Sequence, residues 1–233
     1  MRLPKQSHRI GLTLFLASSV LCFVTPPIWC EDQNVSDEFS RIYSEGRWGR
    51  NSAGEGSSGV GSVYAYVRPY MKMLRHFLRK HHIRSVVDIG CGDWELSRHI
   101  DWKNIHYYGY DVAAKVVQRN KEKYETKNIR FYCQDGIHSK LPKADLLICK
   151  DVLQHLPNSF VFDFLKKTKR FKYCLVTNDV TYGSANGWIP NQDIPAGQWR
   201  CVELAKPPFN VKGKIILIFN TINITKEVFL ISR

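Results

Sequence analysis

SVVDIGCGDW, residues 85–94, is the stretch that decides the fold of this 233-residue chain. Its apolar and mostly β-branched start, residues 86–89, predicts a buried strand of a parallel sheet. Asp88 lies near the end of that strand, and Gly90 and Gly92 follow in a loop. Glycine has no Cβ, so such a loop lets the backbone approach a nucleotide-like ligand closely. The stretch therefore predicts a ligand site where the strand ends.

The spacing of the glycines separates two kinds of nucleotide site. A dinucleotide site of the form G-x-G-x-x-G would need glycine at position 95, where this chain has Glu95. The form present here is D-x-G-x-G, in which the acid can meet a cationic group of the ligand. A helical pattern begins directly after the loop, and we expect a helix to start within Glu95–Ile100.

This motif resembles the first motif of class I S-adenosylmethionine-dependent methyltransferases. The resemblance implies that S-adenosylmethionine is the cofactor. It also implies that the cofactor contacts the motif residues, which are Asp88, Gly90, Cys91, Gly92 and Trp94. Trp94 departs from the family pattern, because a third glycine often stands at its position. We expect its side chain to narrow the methionine pocket or to pack against the substrate.

Strands and helices alternate along the rest of the chain, which predicts a parallel sheet covered by helices on both faces. The predicted parallel strands are residues 86–89, His106–Tyr110, Ile129–Cys133, Asp145–Cys149 and Tyr173–Thr177. The predicted helices are Val63–His81, Val112–Tyr124 and Ser159–Thr168. Two final apolar runs, Lys214–Phe219 and Glu227–Ile231, predict an antiparallel hairpin. This α/β, Rossmann-like, seven-stranded sheet is the methyltransferase layout, and the resemblance covers about residues 36–233.

Acids recur at the carboxyl ends of successive predicted strands, where such sheets bind ligands. Asp111 lies 19 residues after Gly92, near the distance at which an acid accepts hydrogen bonds from ribose hydroxyls. The resemblance implies that Asp135 accepts from the adenine amino group and that Ile137 or Val112 sandwiches the ring. A single such Asp is equally compatible with a turn or a helix cap. Acids at three neighbouring strand ends favour a cofactor site, to which we also assign Gly136 and Lys150.

KDVLQHLPN, residues 150–158, resembles the segment after the fourth strand in many small-molecule methyltransferases. The resemblance implies that this segment lies beside the sulfonium methyl group. Asp151 or His155 is then the predicted general base that removes a substrate proton. The alternative is a His155 that only orients the loop. Methyl transfer is a displacement on an already activated carbon, so proximity and orientation can carry most of the catalysis.

A long polar and aromatic insertion, residues 178–209, replaces the helix expected after the fifth strand. Loops of this length tend to be functional or disordered, and Trp188 and Trp199 favour function. Our hypothesis is that the acceptor pocket is lined by Asn178, Asp179, Asn191, Asp193 and Arg200. Each of these residues is also compatible with a turn or a cap.

The N-terminus has the pattern of a targeting segment. A basic start is followed by an apolar run, Ile10–Val24, of 15 residues, which is short for a membrane span of about 20 residues. Pro26 and Pro27 then interrupt any helix. We predict a signal peptide or N-terminal anchor over residues 1–30, and hence an exported or membrane-anchored protein. If the segment is not used, the protein is cytoplasmic, where S-adenosylmethionine is made.

Residues 31–62 are polar and rich in glycine. NSAGEGSSGVGS, residues 51–62, is typical of a flexible linker. The pattern F-x-x-I-Y…W…S-G-x-G-S that begins at Phe39 also resembles the N-terminal segment of related methyltransferases, which implies a lid over the cofactor. Linker and lid both remain open, and the methyltransferase domain proper is assigned to residues 63–233.

The charge balance is strongly basic, with 34 Lys and Arg against 21 Asp and Glu and a net charge of +13. Such a balance is compatible with nucleic acid, an anionic membrane surface or an acidic substrate. No N-P-P-Y signature follows the fourth strand and no basic–aromatic repeat occurs, which argues against a nucleic-acid methyltransferase. The five cysteines beyond Cys30 form no C-x-x-C pair and predict reduced, buried thiols rather than disulfides.

The leading interpretation is S-adenosylmethionine-dependent methyl transfer to a small-molecule acceptor. A catalytically inactive S-adenosylmethionine-binding protein is the alternative, because no strong acid–base pair stands out, and a nucleic-acid methyltransferase ranks below both. We expect no metal and no obligate protein partner, and a membrane tether only through the N-terminal segment.

Overall fold

The structure, a computed structural model, describes residues 28–180, 189–222 and 224–233. The predicted targeting run and Trp188 lie outside these residues, so export or anchoring of the protein stays a prediction. Within the described part of the chain, no helix is both long enough and apolar enough to cross a bilayer.

Seven strands form one sheet, as predicted. Their bounds are β1 (Ser85–Ile89), β2 (His106–Asp111), β3 (Ile129–Cys133), β4 (Leu146–Lys150), β5 (Tyr173–Val180), β6 (Lys214–Asn220) and β7 (Thr225–Ser232). The strand order is β3-β2-β1-β4-β5-β7-β6. Strands β1 to β5 pair in parallel, and β7 runs antiparallel to both β5 and β6. The Rossmann-like sheet with a C-terminal antiparallel hairpin is therefore confirmed.

In the part of the chain that the structure describes, four helices flank the sheet: α1 (Ile28–Glu45), α2 (Tyr64–Lys80), α3 (Ala114–Tyr124) and α4 (Asn158–Thr168). Successive side chains of a strand point to opposite faces, so β1 contributes to two cores. Val86 packs with Leu74 of α2 on one face, and Val87 packs with Phe164 of α4 on the other. Both faces of the central strands are buried, which explains their almost uninterrupted apolar sequence.

The helix expected to start within Glu95–Ile100 does not form. Only a single 3₁₀ turn, Ser97–His99, is present there. Trp94 adopts a left-handed backbone with φ of 59°, and its side chain is buried, so the chain bends inward before a helix can begin. The indole nitrogen of Trp102 donates to the Ser97 carbonyl at 2.8 Å, which closes the short turn.

Residues 31–62 contain a helix that we did not predict. Helix α1 buries Phe39 and Ile42 against the core, at a spacing that places them on one helix face. The following loop is held by backbone hydrogen bonds, among them Ser57 N to Gly49 O at 3.0 Å. This segment therefore packs on the domain over its described length.

The five cysteines beyond Cys30 are free in the described part of the chain, as expected. Burial was predicted for all five and is confirmed for Cys149, Cys174 and Cys201. Cys91 is only partly buried, and the prediction is wrong for Cys133, which is exposed at the end of β3. Cys133 belongs to the strand at the edge of the sheet, where only one side of the strand is covered.

Candidate functional site

A cavity of about 340 Å³ opens at the carboxyl edge of the central strands. Fourteen residues predicted to bind cofactor, catalyse or line the acceptor pocket border it: Asp88, Gly90, Cys91, Gly92, Trp94, Asp111, Val112, Asp135, Gly136, Ile137, Lys150, Asp151, His155 and Asp179. The parallel order of β1, β2 and β4 brings these strand ends to one edge, as such sheets do. Four other predicted site residues, Asn178, Asn191, Asp193 and Arg200, do not line it.

The glycine loop after β1 is shaped for close approach. Gly90 and Gly92 have φ of 71° and 56°, a left-handed conformation that glycine adopts without strain. The backbone N–H groups of Gly90 and Cys91 both donate to the Tyr110 carbonyl, at 2.8 and 3.1 Å. A Cβ on Gly90 would lie 2.2 Å from a methyl carbon of Val152. The loop therefore has no room for side chains at its two glycines.

Asp111 at the end of β2 supports this loop. One carboxylate oxygen accepts from the Gly92 N–H at 2.9 Å, and the other accepts from the Ala113 N–H at 2.9 Å. Burial raises the pKa of this carboxyl, and the two N–H donors act in the opposite direction. Each oxygen retains a lone pair, so ribose hydroxyls can still donate to it. The turn-supporting role and the predicted ligand role are compatible here.

Asp88 lies deeper, at the end of β1. The Tyr107 hydroxyl donates to its carboxylate at 2.5 Å. Burial raises the pKa of Asp88 to about 7, and the Tyr107 hydrogen bond and the nearby Lys150 cation offset only part of that effect. A cationic ligand group would favour the ionised form of this carboxyl.

Asp135 after β3 caps its own turn. It accepts from the Ile137 N–H at 2.7 Å and contacts His138 Nδ1 at 2.7 Å. Ile137 is buried, and Val112 is partly buried on the same cavity. The apolar side chains expected to enclose a ring therefore lie beside the acid expected to accept from it.

Trp94 packs mainly into the core. Its ring meets the rings of Tyr107 and Phe131 edge-on, with centroid distances of 5.5 and 5.3 Å, and Tyr124 covers it at 4.9 Å. The side chain is only 4% exposed. It bounds the cavity from the core side and leaves little surface for a substrate to pack on.

Asp151 is held between two lysines. Lys150 Nζ donates to one oxygen at 2.5 Å, and Lys226 Nζ donates to the other at 2.9 Å. Burial opposes ionisation, but the two cations prevail and lower the pKa of Asp151 to about 2. A carboxylate with so low a pKa is a weak proton acceptor, so the geometry does not favour Asp151 as the general base.

His155 is better placed to accept a proton. Its Nδ1 lies 2.9 Å from the Gln198 carbonyl, which can only accept, so Nδ1 carries the proton and Nε2 has the free lone pair. Burial lowers the pKa of the imidazole and keeps it neutral near pH 7. The ring packs against Trp48 at a centroid distance of 5.0 Å.

Asp179 at the end of β5 joins the cavity through a buried network. Gln154 Nε2 and the Trp199 indole nitrogen donate to one oxygen at 3.0 and 2.7 Å, and Lys226 Nζ donates to the other. The Asp179 backbone N–H in turn donates to Gln154 Oε1 at 2.8 Å. This network fixes Asp179 on the same side of the cavity as Asp151.

Asn178 and Asn191, which we assigned to the acceptor pocket, do not line this cavity in the described part of the chain. Asn178 alternates with Asp179 along β5, so its side chain leaves the cavity face. Asn191 is buried and binds backbone: its amide accepts from Glu203 N at 2.9 Å and donates to Pro207 O at 2.8 Å. It fastens two stretches of the insertion to each other.

Asp193 and Arg200, also assigned to the acceptor pocket, lie outside this cavity as well. Asp193 accepts from the Asn158 N–H at 2.8 Å and so caps the start of α4. Arg200 donates to the Leu153 carbonyl at 2.9 Å and to Asn158 Oδ1 at 2.7 Å. Both residues tie the insertion to the segment that carries His155.

Sequence reasoning gave Gln154 and Lys226 no site role, and it placed Tyr43, Trp48 and Ser58 only in the lid pattern; all five line the cavity. Lys226 lies near the start of β7, before the apolar run 228–231, so no local pattern marked it. The loop before α2 reaches the cavity through Ser58, whose N–H donates to Asp93 at 3.0 Å, and through the Gly61 carbonyl, which accepts from Lys150 at 2.6 Å. These contacts fit the lid interpretation of that loop.

Within residues 28–180, 189–222 and 224–233, no cluster of His, Cys, Asp and Glu side chains is arranged to hold a metal ion.

Comparison with known proteins agrees with the sheet topology. The family model of a methyltransferase domain matches residues 87–171. Magnesium protoporphyrin IX methyltransferase from Synechocystis, solved with bound S-adenosylmethionine, is 15% identical, with 86% of this chain and 95% of that chain covered and a TM-score of 0.59. The N-terminal domain of EvdMO1 with S-adenosylhomocysteine bound is 12% identical, with 83% and 95% covered and a TM-score of 0.52. Comparison with curated proteins yields no match by sequence.

Proposed function

The chain carries a methyltransferase domain with the fold of the class I S-adenosylmethionine-dependent enzymes, and on that premise we propose that it transfers a methyl group from S-adenosylmethionine to a small-molecule acceptor. One observation supports the cofactor above all. The Asp88, Asp111 and Asp135 carboxylates border one cavity together with the glycine loop.

The cavity residues fit this cofactor. A Cβ on Gly92 would lie 2.3 Å from Ser58 Oγ, so only a bare backbone can border the cavity there. In the proposed complex Asp111 accepts from ribose hydroxyls, Asp135 accepts from the adenine amino group, and Asp88 faces a cationic group. Bound S-adenosylmethionine supplies a methyl group on a positively charged sulfur, which an acceptor atom can attack directly.

His155 is the proposed general base. Its neutral imidazole can take the proton of an acceptor hydroxyl or ammonium at Nε2 while Gln198 O holds Nδ1–H in place. Asp151 and Lys226, ion-paired with one another, keep the neighbouring cavity wall in a fixed charge state. Orientation of the acceptor beside the methyl group carries the remainder of the rate.

A binding protein without catalysis is the second candidate. The observation that favours it is the ion pairing of Asp151, which leaves His155 as the single candidate base among the residues singled out in the sequence. A nucleic-acid methyltransferase is less favoured, because seven acids and only two lysines line the cavity. Such an acidic cavity repels a polyanionic acceptor.

Calorimetric titration with S-adenosylmethionine and S-adenosylhomocysteine tests the cofactor. We expect binding by the native protein and at least about tenfold weaker binding by Asp111→Asn, because a charged hydrogen bond is worth roughly 1.5–3 kcal/mol. Asp101→Asn is the matched control, since Asp101 is exposed and does not line this cavity. Equal affinity of all three proteins, or no binding at all, contradicts the proposed site.

Turnover distinguishes the enzyme from the binding protein. The protein is incubated with S-adenosylmethionine and either metabolite extracts or nucleic acids, and release of S-adenosylhomocysteine is measured. Release with metabolites alone supports the proposal. Release with nucleic acids alone supports the less favoured reading, and tight cofactor binding without release from any mixture supports the binding protein.

A further inference from the structure

A second cavity, of about 350 Å³, lies away from the cofactor site. Its residues come from the end of α2, from the residue before β1 and from the loop that leads into β2: Arg75, Leu78, Arg79, His82, Ile83, Arg84, Ile100, Asp101, Asn104 and Ile105. Arg84 and Ile105 directly precede strands, so this cavity lies at the amino edge of the sheet. The five residues of β1 separate it from the carboxyl edge by about 15 Å.

The rim of this second cavity is cationic. Arg75, Arg79 and Arg84 line it, and Asp101 is the single acid among its lining residues. Among the described residues, no carboxylate forms an ion pair with these three guanidinium groups, and the Asp145 carboxylate accepts from the Arg84 backbone N–H at 2.8 Å. Arg75 donates one guanidinium hydrogen bond to the His99 carbonyl at 2.7 Å, which orients it without neutralising it.

The floor of the second cavity is apolar. Leu78, Ile83 and Ile100 are buried beneath the arginines. An apolar floor reduces screening by water, so an anion held against it interacts more strongly with the guanidinium groups than it would on an open surface.

The surrounding sequence strengthens the positive potential. Residues 56–87 contain six Lys and Arg and no Asp or Glu. Four of them, Arg68, Lys72, Arg75 and Arg79, recur at helical spacing and form one stripe along α2 that leads to the second cavity. This segment therefore contributes six of the chain's 34 Lys and Arg without a compensating acid.

We propose that the second cavity binds a phosphate group, carried by a soluble compound or by a lipid headgroup. Guanidinium groups bind phosphate oxygens through paired N–H donors. Three arginines that converge on one concave site differ from the dispersed cations of an ordinary solvated basic surface. Arg79 and Arg84 are exposed at the mouth of this concavity, so a phosphate group can enter, and its volume of about 350 Å³ suits a compact phosphate better than the extended backbone of a nucleic acid. This site is independent of the proposed methyl transfer.

Titration with pyrophosphate at low salt, followed by calorimetry, tests the site. We expect the Arg79→Gln/Arg84→Gln double variant to bind pyrophosphate at least about tenfold more weakly, because it loses two charged hydrogen-bond donors to the phosphate oxygens. The matched control is Arg68→Gln/Lys72→Gln, which removes the same charge from the same region but outside the cavity. The control is expected to lose less than about threefold, through weaker long-range attraction.

Thermal unfolding of both variants shows whether each is folded. An absence of pyrophosphate binding to the folded native protein, or equal weakening in the two double variants, overturns the proposal. Tighter binding of a single-stranded oligonucleotide than of pyrophosphate, with equal loss in both variants, also overturns it in favour of a nucleic-acid surface.

Vesicles distinguish the two sources of the phosphate. Co-sedimentation with phosphatidylcholine vesicles containing a phosphatidylinositol phosphate, against phosphatidylcholine alone, measures headgroup binding. Sedimentation that is lost in Arg79→Gln/Arg84→Gln and kept in the control assigns the site to a lipid headgroup. Pyrophosphate binding without sedimentation assigns it to a soluble phosphate compound.

Discussion

At the residue scale, the protonation of Asp88 couples the folded state to pH. Burial raises the pKa of this carboxyl from 3.8 to about 7 in the folded protein. Between these values the folded state holds a proton that the unfolded state releases, so the free energy of unfolding falls as pH rises through this window. The loss amounts to about 1.4 kcal/mol per pH unit and ends above pH 7.

Asp88→Asn removes this titration while keeping an oxygen for the Tyr107 hydroxyl. We expect the variant to gain stability relative to the native protein as pH rises from about 5 to about 7, by about 2–3 kcal/mol. Chemical denaturation at both pH values measures the difference. A stability difference that does not change with pH contradicts an elevated pKa at Asp88, and Asp101→Asn provides the exposed control.

His155 determines the pH dependence of the proposed reaction. Burial lowers the pKa of its imidazole below 6.5, so the base form persists to mildly acidic pH. We expect kcat/KM to be constant near neutral pH and to fall only as pH drops through this lowered pKa. His155→Gln is expected to reduce kcat by roughly 10²–10⁴ and to abolish that acidic limb. A variant that keeps both kcat and the limb shows that His155 only orients its loop.

At the element scale, the insertion after β5 is built around buried polar contacts. Asn191 has a left-handed φ of 63° and holds the backbone of Glu203 and Pro207. Trp199 and Arg200 then fasten the same element to Asp179 and Leu153. The described part of the insertion is therefore a fixed wall beside His155 and Asp179.

Asn191→Ala tests this wall. We expect a loss of about 2–4 kcal/mol in the free energy of unfolding, because buried backbone groups lose their partners and alanine resists the left-handed conformation. Asn191→Gly adopts the left-handed backbone conformation without strain, so its loss of stability measures the contribution of the side-chain hydrogen bonds alone. Gln192→Ala, at the exposed neighbouring position, is expected to change stability by less than about 0.5 kcal/mol. Equal stability of all three variants contradicts the role assigned to Asn191.

At the scale of the whole molecule, charge is divided between two regions. The chain carries a net charge of +13, yet its cofactor cavity is lined by seven acids and two lysines. Both lysines form ion pairs with Asp151 or Asp179, so the remaining carboxylates determine the electrostatic potential of the cavity. A cationic ligand is attracted into this cavity while the exterior attracts anions.

This division predicts a salt effect that differs between two ligands. S-adenosylmethionine carries one more positive charge than S-adenosylhomocysteine, so the acidic cavity attracts it more strongly at low ionic strength. We expect its dissociation constant to rise more between about 50 and 500 mM NaCl than that of S-adenosylhomocysteine. Calorimetry at both salt concentrations measures the two slopes. Identical slopes contradict an electrostatic contribution from the cavity.

The sheet and the cofactor edge were predictable because their signals are local. Apolar runs of five or so residues define the strands, and the residue that follows each run defines its end. Once the strands are parallel and neighbouring, Asp88, Asp111 and Asp135 must reach the same edge. The short turn after Trp94 was not predictable from the sequence. Six residues with helical spacing contribute little to helix stability, and burial of the Trp94 ring outweighs that contribution.

The sequence by itself therefore determined the parallel sheet with its antiparallel hairpin, the glycine loop and the acids at the carboxyl ends of the strands. Only the tertiary structure decided what the other polar residues do. Lys226 reaches Asp151 across 75 positions, and Arg200 reaches Leu153 across 47. Contacts at such separations depend on where the chain returns after its turns and insertion, and no local pattern encodes that. For the same reason, only the structure shows that Asp151 is ion-paired with Lys226 and that the second cavity lies at the opposite edge of the sheet.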